Sequence, residues 1–236
     1  MRYKIEKFLV LLSAVCAGAA AAQPGYISGD LSGTLEAGSY IVTGDCIVPA
    51  DQTLILQPGT TFLFAGHFTI HVSGRLLADG TMSDSIKFLR QYPTEDCKHG
   101  GITFQPGSAA NNSLSYCWMD NAFNPDFPDI FGGGVLVYGS GVVIRKSLFT
   151  NCKAHYGGAI YVCESNAVIS ECRISDCQAI SRGGAVYTIH SSTLIEHCEI
   201  IQNTADLAPG LCIYDNDDAE VRYCSVAHNV ATSTAG

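Results

Sequence analysis

A dense group of side-chain oxygens, in the run Asp215-Asn216-Asp217-Asp218, is the first feature of the sequence that suggests chemistry. Carboxylate and amide oxygens are the ligands that Ca²⁺ prefers in proteins. Asp215, Asp217 and Asp218 are therefore candidate ligands of a calcium ion, and calcium is the one cofactor for which the sequence gives a reason. The alternative is a solvated turn, because Asp and Asn are also common turn residues.

Catalysis has less support in the sequence. A glycoside hydrolase needs two carboxylates that face each other across the sugar, and a polysaccharide lyase needs a basic residue beside carboxylates that hold a cation. No such constellation can be recognised along the chain. His155 and His190 stand alone, and Cys97-Lys98-His99 lacks the partner residues of a zinc site. We therefore predict no catalytic residue and no zinc site.

Two tyrosines, Tyr161 and Tyr187, are the candidates for ligand binding. They lie 26 residues apart, which is the period of the repeat described below. If both face outwards, they form a flat aromatic strip suited to sugar rings or to a partner surface. The alternatives are a ladder that only shields the wall of the molecule and a ladder that is turned inwards. Phe123, Phe127 and Phe131 lie in a longer insertion that is expected to fold back on the wall or, alternatively, to act as a flap over a ligand.

A repeat of 25 or 26 residues organises the chain from Val142 to Gly236. Three sets of residues recur at this spacing, one rich in cysteine, one that changes from cysteine to asparagine, and one of glycine. The sets are Ser147, Cys172, Cys198 and Cys224; Cys152, Cys177, Asn203 and Asn229; and Gly133, Gly158, Gly184, Gly210 and Gly236. A fixed period of this length is the mark of a solenoid.

Each repeat consists of short runs rich in Val, Ile, Tyr and Thr, separated by Gly, Asn, Asp and Ser, which are strand and turn signals. No helical period is visible beyond the N-terminus. A repeat with three short strands and three turns is one coil of a parallel β-helix, so the predicted fold class is all-β. Stacked coils lie roughly 4.8 Å apart, and equivalent residues therefore contact each other.

The repeat also predicts specific contacts. Asn203 and Asn229 are expected to form an amide ladder that satisfies polar groups of the turns. The glycine set is expected where a corner needs a positive φ or a close approach of the backbone. Two further aligned sets are Val135, Ile160, Val186 and Cys212, predicted to point inwards, and Val137, Val162, Thr188 and Tyr214.

Two motifs of the repeat resemble those of the polymorphic outer-membrane protein repeats. Gly157-Gly158-Ala159-Ile160 and Gly183-Gly184-Ala185-Val186 are similar to the GGA[ILV] motif, and Ile200-Ile201-Gln202-Asn203 and Val226-Ala227-His228-Asn229 are similar to the FxxN motif. The resemblance covers residues 110–236. It implies a right-handed parallel β-helix of the pectin-lyase-like kind with about 25–26 residues in each coil.

The match departs from the family pattern in places. Ile or Val replaces the Phe of FxxN, Cys152 and Cys177 replace its Asn in two coils, and the third GGA motif is aligned with Pro209-Gly210-Leu211. Right-handed β-helices host adhesins, lyases, hydrolases and spacers, so the resemblance predicts the fold more strongly than the function.

The chain divides into three segments. Met1–Ala22 has a basic start, an apolar middle and a run of alanines, as in a secretory signal peptide. Residues 23–108 are predicted to form an N-terminal cap and the opening coils. Residues 109–236 are predicted to form the repeats. Because Gly236 falls on the next position of the glycine set, the chain is expected to stop within a coil, as a fragment with an anchor or further domain downstream.

Without Cys16, ten cysteines remain in the predicted exported chain. Cysteines that recur once per coil stack side by side, and we expect most of them to be free interior thiols that pack as small apolar groups. One or two disulfides, or a full set of five, are the alternatives.

Composition limits the range of partners. The formal net charge is −9, which argues against nucleic acid, and no second hydrophobic segment follows the signal peptide. We predict a secreted or cell-surface β-helix that is adhesin-like or structural, with carbohydrate or a host or cell-surface protein as its partner. The alternative is a carbohydrate-active β-helix enzyme, either a polysaccharide lyase or a glycoside hydrolase.

Overall fold

The computed structural model describes residues 24–92, 98–124, 131–215 and 218–233. The predicted signal peptide, and the residues Cys97, Phe127, Asp217 and Gly236, lie outside these ranges. The described residues form strands and no helix, and nothing among them meets the length and apolarity of a membrane-spanning helix. The strands are β1 Gly25–Asp30, β2 Gly33–Leu35, β3 Gly38–Val48, β4 Thr53–Leu56, β5 Thr60–Phe64, β6 Ile70–Val72, β7 Arg75–Asp79, β8 Ile86–Arg90, β9 Ile102–Phe104, β10 Asn112–Ser115, β11 Cys117–Asp120, β12 Phe123–Asn124, β13 Val135–Tyr138, β14 Gly141–Arg145, β15 Leu148–Thr150, β16 Lys153–Tyr156, β17 Ile160–Cys163, β18 Asn166–Ser170, β19 Arg173–Ser175, β20 Gln178–Arg182, β21 Val186–Ile189, β22 Leu194–Glu196, β23 Glu199–Ile201, β24 Thr204–Ala205, β25 Leu211–Tyr214, β26 Glu220–Arg222, β27 Ser225–Ala227 and β28 Val230–Ala231.

The strands stack in parallel on four faces of one solenoid. Face 1 has the order β3-β6-β9-β13-β17-β21-β25, face 2 the order β2-β4-β7-β10-β14-β18-β22-β26, and face 3 the order β3-β5-β8-β11-β15-β19-β23-β27. Strand β3 belongs to two faces, because Gly38–Val42 pairs with β5 and Cys46–Val48 pairs with β6. Face 4 is the short sheet β12-β16-β20-β24-β28. The predicted all-β solenoid is therefore confirmed, but the coils from Phe123 onwards contain a fourth short strand in addition to the three predicted.

The register confirms the predicted period in most places. Val135 pairs with Ile160, and Ile160 pairs with Val186. The prediction was wrong by one residue in the next coil, where Leu211, not Cys212, pairs with Val186, and Ile213, not Tyr214, pairs with Thr188. The coil from Val186 to Leu211 is one residue shorter than the coil before it, and the alignment on Gly210 concealed this difference.

The interior is filled by stacked apolar side chains. Phe62 and Phe88 lie on neighbouring coils of face 3 with their rings stacked at a centroid distance of 5.4 Å. Met119 and Phe149 continue the same inward column, and all four side chains are almost fully buried. This contact of equivalent residues buries apolar surface that no single coil could bury alone.

Three of the corners share one local structure. The corner residue has a positive φ of roughly 50–60° although it is not glycine. Where the structure describes the next residue, it is a serine, cysteine or asparagine with an inward hydrogen-bonding side chain, except for Ala122 after Asn121. The corner residues are Glu164, His190 and Asp215 between faces 1 and 2; Tyr116, Lys146, Glu171, His197 and Tyr223 between faces 2 and 3; and Asn121, Asn151, Asp176, Gln202 and His228 between faces 3 and 4. The left-handed backbone is unfavourable for such residues, so the hydrogen bonds of the inward side chain compensate for it.

The cysteines and asparagines of the repeat are these inward side chains. Ser147 accepts a hydrogen bond from the Cys117 backbone N–H at 3.0 Å, and its hydroxyl donates to the Arg145 carbonyl at 2.9 Å. Cys172 occupies the equivalent position one coil later and donates its S–H to the Ser170 carbonyl at 3.2 Å. All nine cysteines among the described residues are free, and six of them are buried, in agreement with the expectation of free interior thiols.

The predicted amide ladder is present. The Asn203 side chain accepts a hydrogen bond from the Cys177 backbone N–H at 2.9 Å. Its amide group donates to the Ile174 and Ile201 carbonyls at 3.1 and 3.0 Å, and to the Asn229 side-chain oxygen at 2.9 Å.

The glycines of the repeat are required by a close approach of backbone. A Cβ atom on Gly158 would lie 2.1 Å from the Gly184 carbonyl oxygen, and one on Gly184 would lie 2.2 Å from the Pro209 oxygen. The positive φ belongs to the residue before each of them, such as Gly183 with a φ of 69°. In the next coil, Ala208 has the positive φ and is equivalent to Gly183, and Pro209 is equivalent to Gly184. Gly210 therefore lies one position later than the repeat predicted.

His99 is a buried structural residue and should make stability depend on pH. Its Nε2 lies 3.0 Å from the Asp120 carbonyl oxygen, and its Nδ1 accepts the Gly101 N–H at 3.2 Å, so the neutral ring is the bonded form. Burial lowers the pKa of His99 to about 4. Because this value lies below the unfolded value of about 6.5, the stabilisation is complete above pH 6.5 and is lost as the pH falls towards 4.

We expect the free energy of unfolding to decrease by up to about 3 kcal/mol over this range from His99 alone. Urea denaturation of the wild type and of His99→Gln at several values between pH 7 and pH 5 measures the effect. The variant lacks the titrating group and should show a flatter pH dependence, whatever its absolute stability. Equal slopes for the two proteins would contradict this role of His99.

Candidate binding surfaces

Tyr161 and Tyr187 stack as predicted, but little of either ring is accessible. Their rings are parallel within 1° at a centroid distance of 5.2 Å, and the register places them opposite each other on β17 and β21. Only 8% of Tyr161 and 5% of Tyr187 is exposed. The neighbouring residues Ile160 and Val162 point into the core, so the two rings lie on the outer side of face 1 and are covered there.

The cover comes from other aromatic rings of the same wall. Phe131 lies 4.6 Å from Tyr161 and 5.8 Å from Tyr156, and Tyr156 lies edge-on to Tyr187 at 5.6 Å. Phe131 therefore packs on the wall, which was the first of the two alternatives for this insertion. Phe123 lies elsewhere, with the Lys98 ammonium 3.9 Å from the centre of its ring. Burial, as the main cause, raises the pKa of Tyr161 and also that of Tyr187. The arrangement shields the wall of the solenoid.

Asp215 and Asp218, the two candidate calcium ligands that the structure describes, are exposed. The Asp215 carboxylate is 70% exposed and lies 2.9 Å from Nε2 of His190 on the preceding coil. Asp218 is exposed, and Asp217 lies outside the described residues. In the part of the chain that the structure describes, no three His, Cys, Asp or Glu side chains are grouped as metal ligands.

A polar groove follows the corner between faces 1 and 2, and we call it the serine groove. Ser140, Ser165 and Ser191 stack along its floor, where the Ser140 backbone N–H donates to the Ser165 hydroxyl at 3.1 Å and the Ser165 N–H donates to Ser191 at 3.2 Å. Glu164 and His190 flank the floor, and the groove encloses about 580 Å³. The Ser165 and Ser191 hydroxyls donate to the Cys163 and Ile189 carbonyls at 2.7 Å, and the Ser140 hydroxyl lies 2.6 Å from that of Ser108. The serine hydroxyls of the floor therefore already have partners within the protein.

A second concavity, which we call the Trp118 cleft, lies at the corner between faces 2 and 3. It encloses about 410 Å³, and the residues that define it are Met82, Tyr116, Trp118, Lys146, Glu171 and Arg173. Tyr116, Lys146 and Glu171 are successive corner residues, whereas Trp118 and Arg173 are outward residues of face 3. The turn around Thr81 and Asp84, closed by hydrogen bonds of 3.0 and 3.2 Å, forms the opposite wall.

The aromatic side of the cleft is held in place from behind. The Trp118 indole N–H donates to the Thr150 hydroxyl at 3.0 Å, and Thr150 donates to the Asp120 carboxylate at 2.6 Å. Trp118 and Tyr116 are partly exposed, and Met82 is 88% exposed at the rim. The Trp118 indole is therefore partly exposed to a ligand and is held in a fixed orientation.

The charged groups of the cleft are paired. The Lys146 ammonium lies 3.7 Å from the Glu171 carboxylate and 5.6 Å from the centre of the Tyr116 ring. Arg173 forms an ion pair with Glu199 on the next coil. The cleft thus combines apolar ring surface with donors and acceptors whose net charge is close to neutral, a combination suited to a ligand with both apolar faces and many hydroxyl groups.

The repeat of the sequence does not predict this cleft. Trp118 is the single tryptophan of the chain, and Tyr116 lies two residues before it. This pair of aromatic residues was the one sequence signal that could have indicated a binding surface here. The coils around it are longer than the repeat, since Phe88 pairs with Met119 and Met119 with Phe149. Alignment by the 25–26-residue period therefore did not place Trp118 beside Lys146 or Arg173.

Comparison with known proteins gives one match. A family model described as "right handed beta helix region" matches residues 124–235. No curated protein and no solved structure matched the chain. The matched segment begins at the coil in which face 4 first appears and includes the four repeats, but it does not include Trp118 or Tyr116.

Proposed function

This chain is a right-handed parallel β-helix, and from that premise we propose that it is an exported scaffold that binds a neutral carbohydrate in the Trp118 cleft. The observation that carries the proposal is the fixed, partly exposed indole ring of Trp118 beside paired charges in a concave site. Aromatic faces stack on the apolar faces of sugar rings, and the paired Lys146 and Glu171 supply a donor and an acceptor for hydroxyl groups.

A neutral ligand fits the charges of the cleft better than a polyanion. Lys146 and Arg173 each have a carboxylate partner, Glu171 and Glu199 respectively. A uronate would have to displace these partners. The net charge of −9 for the whole chain further disfavours a polyanion at long range.

Binding has more support than hydrolysis. Among the described residues that line the cleft, Glu171 is the one carboxylate, and it is paired with Lys146. Glycoside hydrolysis requires two carboxylates on opposite sides of the scissile bond. An adhesin-like or structural role is consistent with this arrangement, and we place the enzymatic alternative second.

Export is supported by the sequence of the first 22 residues. The basic residues Arg2, Lys4 and Lys7 precede an apolar stretch that ends in a run of alanines. We propose that cleavage after Ala22 releases a protein that acts outside the cell or on its surface. N-terminal sequencing of the secreted protein should begin at Gln23, and a protein that retains Met1 in the medium would contradict this proposal.

Binding can be measured with the protein's own fluorescence. Because Trp118 is the single tryptophan, its emission reports on the cleft alone. Titration with a panel of neutral oligosaccharides, such as tetramers of glucose, xylose, mannose and N-acetylglucosamine, should give a saturable shift for at least one of them, and the tetramer of galacturonate should give a weaker one. Saturable binding of galacturonate alone would contradict the assignment to neutral sugars.

The variant Trp118→Ala should weaken that binding by at least about tenfold, which corresponds to about 1.4 kcal/mol, because the stacking surface is lost. Calorimetry measures the variants, and Trp118→Phe should retain part of the affinity. Tyr138→Ala is the matched control, since Tyr138 is an outward aromatic residue, 41% exposed, on face 1. Equal affinities for wild type and Trp118→Ala would rule out this cleft as the binding site.

A further inference from the structure

Three thiols lie in single file at the inner corner between faces 2 and 3. The register pairs Arg173 with Glu199 and Glu199 with Ser225. The residues immediately before them, Cys172, Cys198 and Cys224, therefore occupy equivalent positions on three successive coils. We call this set the thiol column.

The spacing within the thiol column suits a covalent bond between coils. Neighbouring parallel strands lie about 4.8 Å apart, and disulfides form between Cα atoms that are about 4.4–6.8 Å apart. The Cys224 sulfur lies 3.4 Å from the Cys198 backbone nitrogen, from which it accepts a hydrogen bond. The sulfur of Cys224 is thus already next to the backbone of its neighbour.

Access and thiol acidity differ along the column. Cys172 and Cys198 are each 2% exposed, whereas Cys224 is partly exposed. The hydrogen bond from the Cys172 thiol lowers the pKa of Cys198, while burial raises the pKa of Cys224. A reagent from solution can therefore reach Cys224. Cys198 lies directly behind it, and hydrogen bonds from its neighbours favour the thiolate form of Cys198.

We propose that Cys198 and Cys224 form a disulfide between adjacent coils by exchange with a small-molecule disulfide. The Cys224 thiolate attacks one sulfur of the donor, the donor disulfide breaks, and the first donor thiolate leaves and takes up a proton. The Cys198 thiolate then attacks the Cys224 sulfur of the mixed disulfide and releases the second donor thiolate, which is also protonated. Two protein thiols are oxidised, and one donor disulfide is reduced to two thiols.

The hydrogen bonds lost in this reaction are weak. Cys198 donates to the Glu196 carbonyl at 3.2 Å and Cys224 to the Arg222 carbonyl at 3.3 Å, and S–H groups are poor donors. A disulfide restricts the unfolded chain between the two cysteines. The bond should therefore hold the coil from Cys198 to Cys224 against local unfolding.

A second pair provides an internal control. Cys152 and Cys177 also lie on adjacent coils, at the corner between faces 3 and 4, but each is only 1% exposed. The two pairs have the same spacing between coils, but Cys152 and Cys177 are both less accessible to solvent than Cys224. Oxidation of this pair by a dissolved donor should be slow compared with oxidation at Cys224.

The test is incubation of the folded full chain with oxidised glutathione, followed by alkylation of the remaining thiols and peptide mapping by mass spectrometry. The expected result is a linked peptide that contains Cys198 and Cys224, neither of which is alkylated, whereas partly exposed Cys163 and Cys212 carry at most glutathione. In Cys198→Ser, glutathione should remain attached to Cys224, because the second step is blocked. Cys224→Ser should give no peptide in which Cys198 is linked or glutathionylated. Serine is a suitable replacement, since Ser147 occupies the equivalent position two coils before Cys198.

Three outcomes would overturn the proposal. The first is that Cys198 and Cys224 of the wild type both remain free thiols, the second that Cys172 is linked to Cys198 instead, and the third that glutathione stays on wild-type Cys224. Each of these can be read from the wild-type protein alone, so the result does not depend on the folding of either variant.

Discussion

Gly184→Ala is expected to destabilise the protein by about 4 kcal/mol or more, the range of the most severe single substitutions. The new Cβ would lie 2.2 Å from the Pro209 carbonyl oxygen and 2.6 Å from that of Thr204. Both obstacles are backbone atoms of the next coil, so a side chain cannot simply rotate away. Urea denaturation followed by circular dichroism measures the change in the free energy of unfolding.

Gly107→Ala is the control for this substitution. Gly107 has a φ of +80°, but nothing lies within 4 Å of the position that a Cβ would take. This variant has no clash but carries a left-handed backbone penalty, which Gly184→Ala does not, and its cost should be about 1–2 kcal/mol. If the two variants were equally stable, the close approach of coils at Gly184 would not be the reason for glycine there.

Asn203→Ala should lower the free energy of unfolding by about 4 kcal/mol. Asn203 is fully buried, and its removal leaves the Cys177 N–H and the Ile174 and Ile201 carbonyls without their partner. An unsatisfied buried polar group costs about 1–3 kcal/mol. Thermal unfolding and urea denaturation both measure this loss.

Asn203→Cys tests whether the position needs an amide or only a small hydrogen-bonding side chain. Cys152 and Cys177 occupy the same position on the two preceding coils, and Cys177 donates to the Ser175 carbonyl at 3.3 Å. We expect the cysteine variant to recover a substantial part of the stability lost in the alanine variant. Equal losses in the two variants would show that the amide is indispensable in this coil.

The repeat could be predicted from the sequence because each coil uses the same inward residues at the same corners. Asn203 and Asn229, or Cys172 and Cys198, mark positions at which only a small hydrogen-bonding side chain fits. The error at Gly210 has the same origin. A glycine there matched the period, but the coil is one residue shorter, so Gly210 takes the position of Ala185. The atoms nearest to a Cβ at Gly210 would be side-chain atoms of Val226 and Asn229, at 2.9 and 3.1 Å, and not backbone.

The candidate site was harder to predict than the fold. The stacking of Tyr161 and Tyr187 follows from their spacing alone, whereas their cover by Phe131 and Tyr156 depends on how the insertion between β12 and β13 returns to the wall. The Trp118 cleft depends on the turn after β7 and on two long coils. The length of that turn and the lengths of those coils differ from the 25–26-residue repeat, so the period does not predict them.

The three corners with positive φ have a consequence for how such a molecule can change over time. At most of these corners the backbone is held by the inward residue that follows, as Ser147 does after Lys146, while the corner side chain itself is at least partly exposed. Tyr, Lys, Glu and His all occupy equivalent positions at one corner. What the surface displays to its surroundings can therefore diversify almost independently of what keeps the coils together, and a lineage of such proteins can acquire new specificities without first having to acquire a new architecture.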